Sequence, residues 1–369
     1  MKILLLIDNF GTGGAQRQLV NLALGLHKRG LDVAFFCYAT GSLLADEVML
    51  ANIPIHFQQK KSRFSLEIIL KLRKFLRADK FDLILSFLPT PNFYAISAAQ
   101  FLMQKPRVIV SERSYDPPTG ATTINKFIRI FYIFADHITV NSRHQTENLK
   151  RNYPWLKKRI STIYNGYDLG RFSPGNNESD KEKPLKALVI ASISTIKNGL
   201  CLVRALQALK QRGIPVEVSW VGRQDMVGER LAYRKKMNAE IENLGVASQW
   251  KWLGERSDIP ELLHSHDVLI HPSYGEGLPN AVCEALACGR PVILSNTLDH
   301  PYLVEDGITG YLFDWTSSDS LARAIEKFHL LKEYDKREMS KHARKFAEQN
   351  LSLESYVDQY EQLFGELIN

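Results

Sequence analysis

Glu276 and Glu284 are the first residues that could do chemistry. They stand eight residues apart in YGEGLPNAVCEALACGRP, residues 274–291, with no Lys, Arg or His between them. Small and apolar residues fill the interval. Pro279 suits a first helical turn, and Gly289 with Pro291 suits a stop, so the pattern predicts a buried helix over 279–288. A buried carboxylate without a partner is costly. Glu284 must therefore meet a backbone group, a distant Arg, or an outside ligand rich in hydroxyls, such as a ribose or hexose. Glu276 falls in the loop at the positive end of the same helix, where a diphosphate would also be stabilised. Residue types alone leave internal and external partners open.

A second candidate is GTGGAQR, residues 11–17. It follows an apolar run and opens an amphipathic one. Gly11, Gly13 and Gly14 would let the backbone turn and approach an anion at a helix N-terminus. A tight structural turn explains the same residues, and the spacing is not the dinucleotide fingerprint G-x-G-x-x-G. The ten histidines form no metal-ligand pattern, and His264 and His266 diverge on a helix end. No metal site is expected. Cys37, Cys201, Cys283 and Cys288 sit in apolar surroundings and read as reduced, buried thiols.

These residues need a scaffold. KILLLI, LDVAFFCY, FDLILSFL, RVIVSE and HITVNS are short apolar runs alternating with helical patterns, as in a doubly wound α/β sheet buried on both faces. SPGNNESDKEKP, 173–184, lacks periodicity and reads as a linker. Beyond it the alternation restarts with LKALVIAS, VEVSWVG, WKWLG, DVLIHPS and PVILSN. The chain has 369 residues, which favours two domains. They are expected at 1–172 and 183–350, with a C-terminal helix, about 352–369, packing back on the first. Two such domains would leave a cleft between facing carboxyl ends of strands, where ligands bind.

The net charge is +7, which suits an anionic partner. Residues 60–80 alone contribute +6. There Leu66, Ile69, Leu72 and Leu76 are expected on one helix face and Lys71, Lys74 and Arg77 on another. Such a helix either lies on an anionic membrane or is a solvated surface helix. NKFIRIFYIFADH, 125–137, is a further apolar candidate that reads more readily as core. Residues 83–103 are long and uncharged, but two prolines and Asn92 predict strand, loop and helix rather than a membrane span. MKILLLIDNF is too short in its apolar part for a signal peptide.

PSYGEGLPNAVCEALACGRPVI resembles the E-x7-E segment of GT-B glycosyltransferases of family GT4. GGAQR, STIYNGYDLGRF, IASISTIKNG, WLGERSDIPELLHSHDVLIHPS and LVEDGITGYLF resemble further segments of that family in the same order. LSFLPTPN and SERSYDP are similar to stretches of its bacterial surface-glycan members. The resemblance implies a GT-B fold of two Rossmann-like domains. It implies a retaining, metal-independent sugar transfer from a nucleotide sugar, UDP-linked, to a glycan or polyprenyl-diphosphate-linked acceptor. Glu276 would position sugar hydroxyls and Glu284 the ribose. Lys197 would clamp the diphosphate, with the amides of Gly13 and Gly14 approaching it. Leu253, Gly277, Leu278, Asn280 and Ala281 would complete the donor site, with Gln16, Asn92 and Glu112 on the acceptor side.

Three positions depart from the family pattern. Ser192 stands where the family has an Arg, and Arg223 is the candidate to compensate. Gln16 replaces a Glu. Glu112 or Arg113 stands where the family often has a catalytic His. Two alternatives remain: a UDP-sugar epimerase of the same fold, or a non-catalytic nucleotide or glycan binder. No cofactor and no nucleic-acid partner is expected. The expected location is cytoplasmic, with a possible anionic membrane surface met through 60–80.

Overall fold

A computed structural model of the chain describes residues 1–11, 13–40, 43–60, 65–113, 122–175, 183–223 and 227–368. Residues 61–64 of the basic stretch, 114–117 of SERSYDP and 176–182 of the linker lie outside the described residues. The chain divides into two compact units, Met1–Gly166 with Leu353–Asn369, and Tyr167–Ser352. The first unit thus closes at Gly166 rather than at residue 172.

The first unit has seven parallel strands: β1 (Lys2–Leu6), β2 (Asp32–Cys37), β3 (Ile55–Phe57), β4 (Leu83–Phe87), β5 (Arg107–Glu112), β6 (His137–Val140) and β7 (Ile160–Thr162). Their order is β3-β2-β1-β4-β5-β6-β7, so β1 and β4 flank the point where the winding reverses. The helices are α1 (Gly14–Lys28), α2 (Ala45–Leu50), α3 (Leu66–Asp79), α4 (Pro89–Ala99), α5 (Thr123–Ile130) and α6 (Arg143–Asn152). Alternation along β1 divides the core. Ile3 and Leu5 pack in one cluster with Leu19, Leu22 and Leu26 of α1. Leu4 and Leu6 pack in another with Ile68, Leu72 and Leu76 of α3. A continuous apolar strand is what a sheet covered on both faces demands.

The second unit has six parallel strands: β8 (Leu185–Ile190), β9 (Val216–Val221), β10 (Trp250–Gly254), β11 (Val268–His271), β12 (Val292–Ser295) and β13 (Gly310–Phe313). The order β10-β9-β8-β11-β12-β13 puts the reversal between β8 and β11. Its helices are α7 (Gly199–Gln211), α8 (Glu229–Asn243), α9 (Ile259–Ser265), α10 (Asn280–Ala287), α11 (His300–Leu303), α12 (Ser318–Leu330) and α13 (Glu333–Asn350). A last helix, α14 (Leu353–Ile368), belongs to the first unit. Tyr356, Val357, Tyr360 and Phe364 are buried in the same cluster as α1.

Two expectations change. The buried face of α3 is Ile68, Leu72 and Leu76, while Leu66 is 70% exposed. Ile69 packs partly against the same cluster, so the expected face holds at Ile69, Leu72 and Leu76 and fails at Leu66, with Ile68 adding an i, i+4 ridge. Residues 125–137 are not a core helix, because Phe127, Ile130, Ile133 and Phe134 are exposed. The stretch 83–103 forms β4 and α4, and no helix among the described residues is long and apolar enough to cross a membrane.

Candidate active site

In open α/β sheets, ligands gather at the carboxyl ends of the strands where the winding reverses. In the second unit those ends are β8 and β11. The loop after β8 carries Lys197 in a short 3-10 turn, Thr195–Lys197. The loop after β11 carries Glu276. The backbone stitches the two loops together: Tyr274 N–H donates to Ile196 O at 3.0 Å, and Ser273 Oγ donates to the same carbonyl at 3.2 Å. The ring of Tyr274 packs on Trp315, centroids 4.9 Å apart. The result is an ion pair between Lys197 Nζ and Glu276 Oε1.

His271, the last residue of β11, joins that pair. Its Nε2 lies 3.1 Å from Glu276 Oε1. A carboxylate only accepts, so Nε2 carries the proton. The opposite ring nitrogen, Nδ1, is buried and has no hydrogen-bond partner among the described residues. Burial pushes the Glu276 carboxyl up. The His271 hydrogen bond and the charges of His271 and Lys197 outweigh it and hold the group well below the usual carboxylate range. His300 sits behind, its ring centroid 5.5 Å from that of His271. Its Nδ1 lies 2.8 Å from Ser295 O, and burial pushes its pKa down to about 3, so it is neutral.

Glu284 differs. It sits in the second turn of α10, half-buried, and no hydrogen bond to its carboxylate is found among the described residues. Burial pushes it up to about 7, against a weak opposing pull from Arg171. The two carboxylates of the opening stretch are therefore unlike. Glu276 is held by Lys197 and His271, whereas among the described residues Glu284 has only the distant charge of Arg171.

The remaining donor-side residues are placed as follows. Gly277 follows Glu276 in the β11–α10 loop. Pro279 caps α10 and offers no side-chain hydrogen bond to its first amides. Leu278 and Ala281 are buried. Asn280 Oδ1 accepts from the Tyr167 hydroxyl at 2.6 Å. Ser192 lies in the loop after β8. Gly222, at the end of β9, packs so closely there that a Cβ would stand 2.1 Å from Ala191 O. Arg223 is the next residue and so leaves the sheet beside that loop. Leu253 is half-buried on the edge strand β10, before Gly254 turns with φ 74°.

In the first unit, α1 starts at Gly14 after the end of β1. Gly13, its N-cap, offers no side chain to the first amides. A Cβ on Gly13 would meet Gln16 Oε1 at 2.1 Å. Gln16 Nε2 in turn donates to Asp8 Oδ1 at 3.0 Å. Asp8 thus anchors Gln16 at this turn, a contact the sequence reading did not foresee.

Glu112, Arg113 and Asn92 require correction. Glu112 is 1% exposed and both its oxygens are taken. Arg129 donates from Nε at 3.1 Å and from Nη2 at 3.2 Å, and the Tyr132 hydroxyl donates at 2.6 Å. Asn92 is fully buried and donates to Tyr132 Oη at 2.8 Å and to Ser111 O at 3.1 Å. Arg113 donates to Asn165 Oδ1 at 2.6 Å and Tyr360 Oη at 2.7 Å, and its guanidinium lies 3.9 Å from the Phe87 ring centroid. Glu112 and Asn92 are buried scaffold and cannot touch an acceptor, and Arg113 fastens α14 to the sheet. Sequence reading missed His271. Its signal was position: the last residue of a strand, five before Glu276.

Two doubly wound units of parallel strands, each with one reversal of winding, are the architecture of the GT-B glycosyltransferases. Residues 12–171 match the family model for Glycosyltransferase Family 4, and residues 175–346 that for Glycosyl transferases group 1. The chain belongs to this family. It is 26% identical over 333 residues to the Escherichia coli UDP-Gal:alpha-D-GlcNAc-diphosphoundecaprenol alpha-1,3-galactosyltransferase, covering 85% of this chain and 84% of that one. It is 25% identical over 313 residues to a Campylobacter jejuni N-acetylgalactosamine-N,N'-diacetylbacillosaminyl-diphospho-undecaprenol 4-alpha-N-acetylgalactosaminyltransferase, covering 80% of each. The solved structure of Anabaena HepE in complex with UDP shares the fold. Its TM-score is 0.85 at 21% identity, over 99% of this chain and 100% of that one.

Proposed function

We propose that this glycosyltransferase moves a sugar from a UDP-linked donor to an acceptor glycan carried on a polyprenyl diphosphate, with retention of anomeric configuration. The observation that carries the reading is the Lys197–Glu276–His271 cluster at the β8/β11 reversal, together with a Glu284 carboxylate that no hydrogen bond meets among the described residues. Ribose hydroxyls supply what Glu284 lacks. The donor sugar's hydroxyls fall to Glu276, kept ionised by its two neighbours. The bacterial relatives named above, whose acceptors are undecaprenyl-diphosphate-linked, support the acceptor class.

As the glycosidic bond breaks, negative charge builds on the departing diphosphate. A cation and fixed amides placed there stabilise the transition state more than the ground state. Lys197 supplies the cation and the start of α10 supplies amides. In the free protein Lys197 is neutralised by Glu276. Donor binding then exchanges that partner for phosphate oxygens and turns Glu276 toward the sugar. Arg223 takes the place of the cation that Ser192 does not provide. The reaction needs no metal, and the acceptor hydroxyl attacks from the face the diphosphate leaves. Ser192 favours one second reading, a protein that binds nucleotide sugars without turnover.

Calorimetry with UDP and GDP, followed by transfer assays with a panel of UDP-sugars and an undecaprenyl-diphosphate-linked acceptor, tests the proposal. UDP is expected to bind, and transfer to persist in a chelator. Glu276→Gln is expected to lose transfer while keeping UDP affinity. Binding without transfer to any acceptor would favour the second reading, and no UDP binding would sink both.

A further inference from the structure

The first unit exposes an unusual face. On α5 and the turn that follows, Ile128 and Tyr132 point into the core. The opposite side shows Ile124, Phe127, Ile130, Ile133 and Phe134, between 38% and 60% exposed. Trp155 is 63% exposed on the neighbouring 3-10 turn, Pro154–Arg159. Arg159 Nη1 ties that turn to this one, donating to Ile133 O and Ala135 O at 3.1 Å. Soluble proteins rarely expose large apolar side chains in such a contiguous row.

Charge accompanies the row. Lys126, Lys157 and Lys158 are exposed around it. Residues 122–135 and 148–160 contain no Asp or Glu. The helix is also rigidly backed, because Arg129 on its inner side is the buried partner of Glu112. The basic helix α3 offers less. Its Lys71 pairs with Glu67 at 2.9 Å, and Arg73 donates to Ser97 O at 2.8 Å.

We infer that α5 and the 131–134 turn dock this enzyme on an anionic lipid surface, Phe127, Ile130 and Phe134 entering the acyl boundary and Lys126, Lys157 and Lys158 meeting the headgroups. An amphipathic helix with bulky apolar residues on one side and lysines beside them lies in that boundary. The inference rests on the proposed function for its purpose, since a polyprenyl-linked acceptor is reached at a membrane. Its chemistry rests on the surface alone.

The test is co-sedimentation of the full chain with mixed phosphatidylglycerol–phosphatidylcholine vesicles and with pure phosphatidylcholine vesicles. Three double variants accompany it: Phe127→Ser with Ile130→Ser, Lys157→Glu with Lys158→Glu, and Leu66→Ser with Leu70→Ser on α3. The wild type and the α3 variant are expected to bind the anionic vesicles. The first two variants are expected to lose binding by about tenfold or more, and high salt to weaken it. UDP affinity and melting temperature, measured in parallel, are expected to be unchanged in all three, which separates this inference from the donor-site reading. Failure of the wild type to bind would overturn it. So would loss through the α3 variant alone, or a patch that proves to hold two copies of the chain together in sedimentation velocity without vesicle binding.

Discussion

The Glu284 carboxyl, pushed up to about 7 by burial, ionises two to three pH units later in the folded chain than its ordinary value of 4.5. Below about pH 4.5 both states are protonated and the group is neutral to stability. Between 4.5 and 7 the unfolded chain ionises first, so stability falls as pH rises, by at most about 3 kcal/mol above pH 7. Glu284→Gln is therefore expected to melt higher than the wild type at pH 8, with the gap closing toward pH 5. It should bind UDP more weakly throughout. Thermal scans across that range check the first point, and a gap independent of pH would contradict it. Glu112 makes the opposite case. Arg129→Met strands its carboxylate in the core and should cost about 3–5 kcal/mol in denaturant unfolding. Loss of transfer in Glu112→Gln with unchanged stability would return Glu112 to the site. The difference between these glutamates was only half legible. Spacing showed that 276 and 284 needed partners, but Lys197 lies 79 residues away. His271 was invisible until a strand end was placed beside the loop.

Among elements, the strands were the easiest to read. The runs of β1, β4, β5 and β11 are apolar on both faces, and only a covered parallel sheet explains that. β3, β7 and β13 have three or four residues each, too few to show a pattern. The α3 stripe was wrong only at its start, where Leu66 points out and Ile68 in, because Leu66, Ile68, Ile69 and Leu70 are all apolar. Only the sheet decides which of them it covers. Where α1 meets α14, the packing has no slack. A Cβ on Gly25 would stand 2.4 Å from Val357 Cγ2, and one on Gly166 would stand 2.6 Å from Tyr356 Cβ. Gly25→Val is expected to cost about 1–3 kcal/mol by overpacking. Its proteolytic signature should be cleavage near residue 353 before any cleavage within α7 or α12. Equal resistance to protease in mutant and wild type would show that α14 can shift to accept it.

At the scale of the whole molecule, the two units draw on the sequence differently. Residues 167–352 are one continuous stretch, whereas the first unit needs residues 1–166 and 353–369 together. A fragment ending at Gly166 is expected to expose the faces of Leu19, Leu26 and Phe87 that α14 covers, and to unfold or aggregate on its own. A 167–352 fragment should melt cooperatively. Circular dichroism of both fragments checks this, and a stable 1–166 fragment would mean that α14 is dispensable. The domain count and the sheet class could be read from length and alternation. The return of the chain to its first unit could be expected only from the amphipathic pattern of one late helix, and its fastening by Arg113 not at all.

That return reverses the usual order of events on the ribosome, where the part made first generally folds first. Here the middle of the chain can finish while the beginning waits, its core open along one side. It stays open until Tyr356, Tyr360 and Phe364 have been synthesised and have emerged. A newborn molecule therefore spends an interval with its N-terminal sheet complete but uncovered where α14 will pack, and a chain cut short before Tyr356 would stay in that condition.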